Sequence, residues 1–362
     1  MTVRILAAAS PGEVRVAAAR DDELIDYAID RPGEPDGVGD IYRGRVSACA
    51  PALGGVFVAL NGAVDGFLPD TEGGKGLTEG TVLGVRVSRA AQGGKGPRLT
   101  ARLLPGQAVG QGARGLVRRG PAAAERLAAL YPDAPVRVDD PTLLVALRPI
   151  LGSRVTLQSP VLDDSLLSAI EALTQPELEL PNGARLSFHP SPALVAIDVD
   201  TGGAAGGALA VNRAVLPALA RQIRLRNLSG AILVDLAGLP VRRRASLGPA
   251  MAEALADDPV RPRLLGFTAL GLAEIVRPRV HPPLHELLAG PHAAGLAALQ
   301  AVAAAVAAEP GRMPALRAAP GVVRALEQDG VALGDLARRT GRTLILRSDP
   351  SLAGNQWIME AP

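Results

Sequence analysis

The chain has 362 residues and a single cysteine, Cys49. One cysteine excludes an intrachain disulfide and any Cys-x-x-Cys zinc site within one chain. The four histidines are too scattered for a His-rich metal site. His281 and His285 stand four apart, but Pro282 and Pro283 between them break any shared helical face, so capping or packing is their expected role. Aromatic residues make up 2%, so each aromatic in a suggestive place carries weight. The net charge of +2 is too small to argue for a polyanion partner, and the pI of about 9.0 agrees with one without requiring it. The hydrophobic share of 48% is inflated by alanine. The N-terminus lacks a charged-then-apolar signal pattern. No uninterrupted apolar stretch reads as a membrane span, Ala293–Ala308 being short and weakly apolar. The expectation is a cytoplasmic protein with no membrane partner. The length allows two or three domains with real cores.

Two apolar runs each end on an aspartate: Leu194-Val195-Ala196-Ile197-Asp198 and Ala231-Ile232-Leu233-Val234-Asp235. Both are short, continuous and bounded, as buried strands are. Between them Arg213–Arg226 is apolar-periodic, with Arg221, Arg224 and Arg226 on its polar side. The unit reads as strand–Asp, helix, strand–Asp. A helical crossover between parallel strands brings both carboxylates to one edge of a sheet, where open α/β sheets hold their ligands. Two carboxylates there repel unless a proton or a cation lies between them. A cation site and simple capping of the following segments are both open at this point.

Elsewhere, residues 1–30 alternate as two or three antiparallel strands, and Arg31–Gly37 is a loop. Five short β segments follow: Asp40–Ala48, Gly55–Leu60, Val64–Pro69, Thr81–Arg89 and Gly96–Leu103. With their Gly-rich turns they suit a small closed barrel. Residues 105–120 are Gly- and Arg-rich. Helices are expected at Pro121–Tyr131, Pro141–Ile150, Ser165–Leu173 and Leu247–Ala256, with strands at Val136–Val138, Val155–Leu157 and Leu264–Phe267. Leu270–Val276 reads as the start of a further helix. An Asn-Gly hairpin joins Glu177–Leu180 to Arg185–Phe188. The tail holds an Ala-rich helix at Gly295–Ala308, the segments Val322–Leu326 and Leu333–Thr340, and strands at Thr343–Arg347 and Gln356–Glu360. There are no internal repeats.

Gly39-Asp40-Ile41-Tyr42-Arg43-Gly44-Arg45-Val46, Gly55–Leu60 and Asp65-Gly66-Phe67-Leu68-Pro69 resemble an S1-type OB-fold. Such modules stack single-stranded RNA on exposed aromatics beside basic side chains. Phe57 points opposite Val56 and Val58 in a strand, so one set faces outward; core packing and base stacking are both open for Phe57 and Phe67. After the barrel come "ALVAIDVDTG", "ARQIRLRNLSGAILVDL" and "GFTALGLAEIVRPR". This order resembles the catalytic half of the ribonuclease E/G family, strongly over Gly39–Leu68 and Leu180–Arg279.

The resemblance implies an α+β multidomain fold. Its parts are an RNase H-like region (1–36 and 126–173), an inserted S1-type OB-fold RNA-binding domain (37–104), a remnant of a 5′-sensor region (105–125) and a DNase I-like α/β catalytic domain (174–288); residues 289–362, outside the resemblance, read from their own pattern as a small C-terminal α/β domain. It implies Mg²⁺-dependent endonucleolytic cleavage of single-stranded RNA, leaving 5′-phosphate and 3′-hydroxyl ends. Asp198 and Asp235 match the family's metal-binding catalytic carboxylates. Phe57 and Phe67 match its stacking phenylalanines, and Lys95 a substrate-holding lysine. Tyr42, Arg118 and Arg224 are further RNA-binding candidates, and Arg242–Arg244 a second basic cluster. Leu270–Arg279 matches a family helix. Asp200 stands where the family usually has Asn. It is either a third ligand or an extra negative charge. Arg119 replaces the sensor's threonine after Arg118, the following segment is short, and the zinc-link cysteines are absent. Weak 5′-end sensing, no zinc and a homodimer as the candidate assembly follow. The alternative is a non-catalytic RNA-binding protein of the same family.

Overall fold

A computed structural model describes residues 2–61, 64–107, 109–110, 112–236 and 238–360. The chain forms two compact units. One comprises residues 1–34, 123–278 and 283–362, and the other residues 35–122 and 279–282.

In the first unit, Val3–Ser10, Glu13–Arg20 and Glu23–Asp30 meander antiparallel. Val136–Val138 and then Val155–Leu157 add in parallel beside Val3–Ser10. Strand alternation sends Ile5, Ala7, Val16 and Ala18 into one core with Leu127 and Leu147, from helices Ala123–Leu130 and Pro141–Leu151. Leu6, Ala17, Ala19 and Leu24 enter a second core with Leu166 and Ile170, from helix Asp164–Ala172. Both faces of this sheet are therefore buried.

The second sheet is ordered Glu177–Glu179, Arg185–Pro190, Val195–Asp200, Gly230–Leu236, Ala273–Arg277, Arg263–Phe267. Only Val195–Asp200 and Gly230–Leu236 run parallel. Their connection is the 18-residue helix Ala208–Leu225, which begins several residues before the predicted start. Val195, Ile197, Val199, Ile232, Val234 and Leu236 point toward this helix and pack on Val211, Val215, Leu219 and Met251. The runs are thus buried on one face only, and Ala196 and Asp198 lie on the exposed side.

Leu270–Val276 is not a helix start. Gly271, at φ +82°, closes a turn in which its N–H donates to the Thr268 carbonyl, and Ala273–Arg277 then forms a strand between two others. Its buried–half-buried alternation satisfies the sheet, and Ile275 and Val276 favour it.

The C-terminal part of the unit packs helices Gly290–Ala308, Pro320–Gln328 and Gly330–Thr340 on a three-stranded sheet. The central strand, Ala315–Ala318, lies outside the predicted elements. Helix Gly290–Ala308 has 19 residues with a mean hydropathy of 1.4, which by length and composition suffices to cross a membrane. That corrects the reading of this stretch as too short and weakly apolar. Here Leu296, Leu299 and Val302 of the helix are buried in a core with Val322 and Leu326.

The second unit is a closed five-stranded barrel. Ile41–Ala50 pairs with both Gly55–Ala59 and Val82–Arg89, and Gly66–Pro69 and Arg98–Thr100 complete the circuit. Gly115–Arg118 adds to the outside of Ile41–Ala50. Val46, Val56, Val58, Leu68, Val85, Val87 and Leu99 fill the interior. The molecule is a mixed α+β protein with several sheets and one closed barrel.

Candidate functional site

Asp198 and Asp235 are register partners on the two parallel strands. Register partners side by side point to the same face of a sheet. Here it is the face opposite the helix-covered core. Both aspartates lie within their strands near the C-terminal ends, rather than in loops beyond them. Partial withdrawal from solvent, then the neighbouring charges of Asp235 and Asp200, hold the Asp198 carboxyl above its ordinary pKa.

Two arginines decide the charge balance. Arg244, at the end of the short helix Val241–Arg244, donates to Asp235 Oδ1, to the Leu239 carbonyl (3.0 Å) and to the Gly271 carbonyl (3.4 Å). Its side chain is 14% exposed, so the guanidinium is held in place. Arg185 pairs with Asp200 at 3.0 Å, and the Gly202 N–H donates to the other Asp200 oxygen at 2.8 Å. These contacts, the Gly202 N–H first, hold Asp200 below the usual carboxylate range. Asp200 is thus engaged elsewhere. Among the described residues no group of three His, Cys, Asp or Glu side chains is placed to hold a metal ion. Asp198, Asp235 and Arg244 together leave one negative charge without a partner.

The helix arginines named as RNA candidates all have partners within the protein. Arg224 donates through Nε to Asp26 Oδ1 at 2.7 Å and through Nη2 to Asp26 Oδ2 and the Tyr131 hydroxyl. Arg221 pairs with Glu23. Arg226 is buried, donates to Gln222 and to the carbonyls of Gln175 and Ala172, and lies 4.0 Å from the centre of the Phe188 ring. The polar side of the helix therefore grips the N-terminal sheet, which the sequence pattern does not reveal. Arg226 also lines a 330 Å³ cavity with Phe188, Leu228, Leu284 and His285, and burial lowers its pKa to about 10.

On the barrel, Phe57 and Phe67 are register partners, half-buried and outside the interior cluster. Their ring centroids are 5.5 Å apart with planes at 60°. Gly55 leaves room for the Phe67 ring, since a Cβ there would stand 2.7 Å from Phe67 Cζ. Lys95 is exposed and, with Gln92, closes a two-residue turn whose tip is Gly93-Gly94. The turn abuts the start of the Phe67 strand: a Cβ on Gly96 would fall 1.8 Å from the Asp65 carbonyl oxygen.

Tyr42 and Arg118 lie elsewhere on the barrel. The Tyr42 ring packs against the interior, and its hydroxyl donates to Asp40 at 3.3 Å. Asp40 is buried and also receives the Arg119 guanidinium at 2.6 Å and the Gly120 N–H at 2.7 Å. Arg119 is thereby paired within the barrel unit although its side chain is 58% exposed, and Arg118 is exposed as well. His281 Nδ1 meets Asp36 at 2.5 Å.

Residues 150–280 match the model of the Ribonuclease E/G family. Over these residues, about a third of the chain, the sequence is similar to the ribonuclease E/G family. The matched residues contain both strand aspartates and Arg244, while the barrel lies outside them. Ribonuclease E of Nostoc sp. strain PCC 7120 is 33% identical over 138 residues, covering 36% of this chain and 20% of that protein. Ribonuclease E of Escherichia coli K12 is 33% identical over 126 residues, 33% of this chain and 12% of the relative. Ribonuclease G of the same strain is 30% identical over 126 residues, 33% of this chain and 26% of the relative. The alignments thus span between about an eighth and a quarter of these relatives.

Proposed function

We propose that this chain is a ribonuclease E/G-type endoribonuclease that cuts single-stranded RNA with the help of Mg²⁺ at Asp198 and Asp235. The observation that carries the reading is the in-register placement of the two carboxylates on an open sheet face, with one negative charge left over after Arg244. Mg²⁺ keeps several waters and binds through one or two carboxylates plus substrate phosphate, so two aspartates suffice. Bound there, it would lower the pKa of a water and offset charge on the scissile phosphate, leaving 5′-phosphate and 3′-hydroxyl ends.

The chain's own residues do the rest. Asp198 and Asp235 supply the negative field. Arg244 fixes the orientation of Asp235 from the side of the Gly271 turn. Phe57 and Phe67 offer apolar faces to unstacked bases, with Lys95 as a nearby cation. Because Asp200 is tied to Arg185 and Gly202, it acts here as a charge neighbour rather than a ligand.

The test is cleavage of an AU-rich 5′-monophosphorylated oligonucleotide with Mg²⁺, with EDTA, and by Asp198→Asn and Asp235→Asn. Cleavage that needs Mg²⁺ and is lost in both variants, with RNA binding retained, supports the reading. Wild-type protein that binds RNA but cuts no better than the variants overturns it, and leaves a non-catalytic RNA-binding member of the family.

A further inference from the structure

Four neighbouring strands of the barrel carry one continuous row of partners. Phe57 pairs with Phe67, Phe67 with Arg98, and Arg98 with Arg89. The row therefore crosses the outer surface as two aromatics followed by two arginines. Inter-strand spacing of about 4.8 Å makes it about 14 Å long.

Each side chain is turned outward for a local reason. Leu68 and Leu99 fill the interior, so Phe67 and Arg98, one residue earlier on each strand, point away from it. Arg89 stands two residues after the interior residue Val87, which would point it inward in a regular strand. A bulge between Val87 and Arg89 shifts the pairing and brings Arg89, which is exposed, opposite Arg98.

Like charges directly opposite each other across strands destabilise a sheet. The cost is visible here: burial, Arg98 and Arg279 all depress the Arg89 pKa. Neither Arg89 nor Arg98 makes an ion pair with a carboxylate among the described residues. A surface that folds a bulge in order to face two unneutralised guanidiniums, in line with a pair of aromatic rings, is complementary to a chain of alternating flat groups and anions.

We propose that Arg98 and Arg89 are the phosphate-binding half of a single-stranded RNA track whose base-stacking half is Phe57 and Phe67. The proposal rests on the RNA-binding reading above and gives it a direction across the barrel. A strand lying on this row sets bases on the phenylalanine end and its phosphodiester backbone on the arginine end. Phosphate contacts by arginine supply sequence-independent affinity through counterion release, whereas stacking does not. The two halves of the row therefore leave different marks on the salt dependence of binding.

The experiment measures fluorescence anisotropy of a labelled single-stranded oligonucleotide against the full chain, in EDTA, over a series of KCl concentrations. Arg98→Gln and Arg89→Gln should each flatten the slope of log K against log salt by about 0.7, and the double variant by about 1.4. Arg98→Lys with Arg89→Lys keeps the charge and should keep the slope, which separates loss of charge from loss of fold. Phe57→Ala should weaken binding at every salt concentration while leaving the slope as it was. A wild-type slope in the double Gln variant, in a protein whose RNA binding falls with Phe57→Ala, overturns the arginine assignment alone. Wild-type protein that binds no RNA overturns this assignment together with the RNA-binding reading.

Discussion

Arg244 holds Asp235, while Asp198, its register partner on the next strand, has no ion-pair partner among the described residues. The pair is electrostatically lopsided as a result. Asp235 is held and partly neutralised, whereas Asp198 meets the repulsion of two other carboxylates.

Arg244 should therefore oppose the entry of a cation. Asp235 is half exposed, so the attraction is screened and worth no more than about 1 kcal/mol. Arg244→Gln is expected to lower the Mg²⁺ concentration needed for thermal stabilisation by roughly 2- to 5-fold. Melting curves across a Mg²⁺ titration measure this, and an unchanged or higher midpoint counts against it.

Asp198 makes stability depend on pH in a defined sense. Its folded-state pKa is raised, so its contribution favours folding below the ordinary carboxylate range and is lost as pH rises through the raised value. In metal-free buffer, Asp198→Asn should melt above wild type at neutral pH, and the gain should vanish in acid. Equal melting temperatures at neutral pH would remove the basis for a strained pair.

Phe57 and Phe67 make separable contributions on the barrel surface. Replacing either by Ala should cost about 1–3 kcal/mol of RNA affinity, roughly 5- to 150-fold. Anisotropy titrations report it directly. Losses confined to thermal stability, with affinity intact, would return both rings to a packing role.

Arg224 should matter for folding rather than for RNA. Its side chain is 15% exposed and that of Asp26 11%. Breaking a buried pair from one side leaves the partner charge unpaired and costs about 3–5 kcal/mol. Arg224→Gln should show this in urea denaturation, while the protein that remains folded binds RNA as wild type does. Normal stability with weakened RNA binding would restore the arginine to the substrate surface.

The strand–Asp, helix, strand–Asp unit was legible because its apolar runs are short and the helix between them has a clear period. The five barrel segments were legible from alternation and glycine spacing. What escaped depended on partners distant in the chain. Arg221 and Arg224 look like a solvated helix face until Glu23 and Asp26 are seen opposite them. Ala273–Arg277 carries too few residues to distinguish helix from strand by period, and the sheet decides it. The Arg98–Arg89 pairing depends on a bulge, which no periodicity announces. Arg244 could be suspected only as one of three consecutive arginines, since its reach to Asp235 depends on the intervening turn.

The parallel pairing of Val195–Asp200 with Gly230–Leu236 also sets when the carboxylates meet. Parallel neighbours cannot close as a hairpin, and the whole helix Ala208–Leu225 must dock before their register exists. Non-local pairing of this kind slows folding, because the entropy of closing the intervening chain is lost before the contact is gained. A chain emerging from the ribosome, or a partly unfolded one, holds Asp198 and Asp235 apart and carries no assembled pair. The same topology that pairs the two carboxylates thus leaves them unpaired in any chain whose crossover helix has not docked.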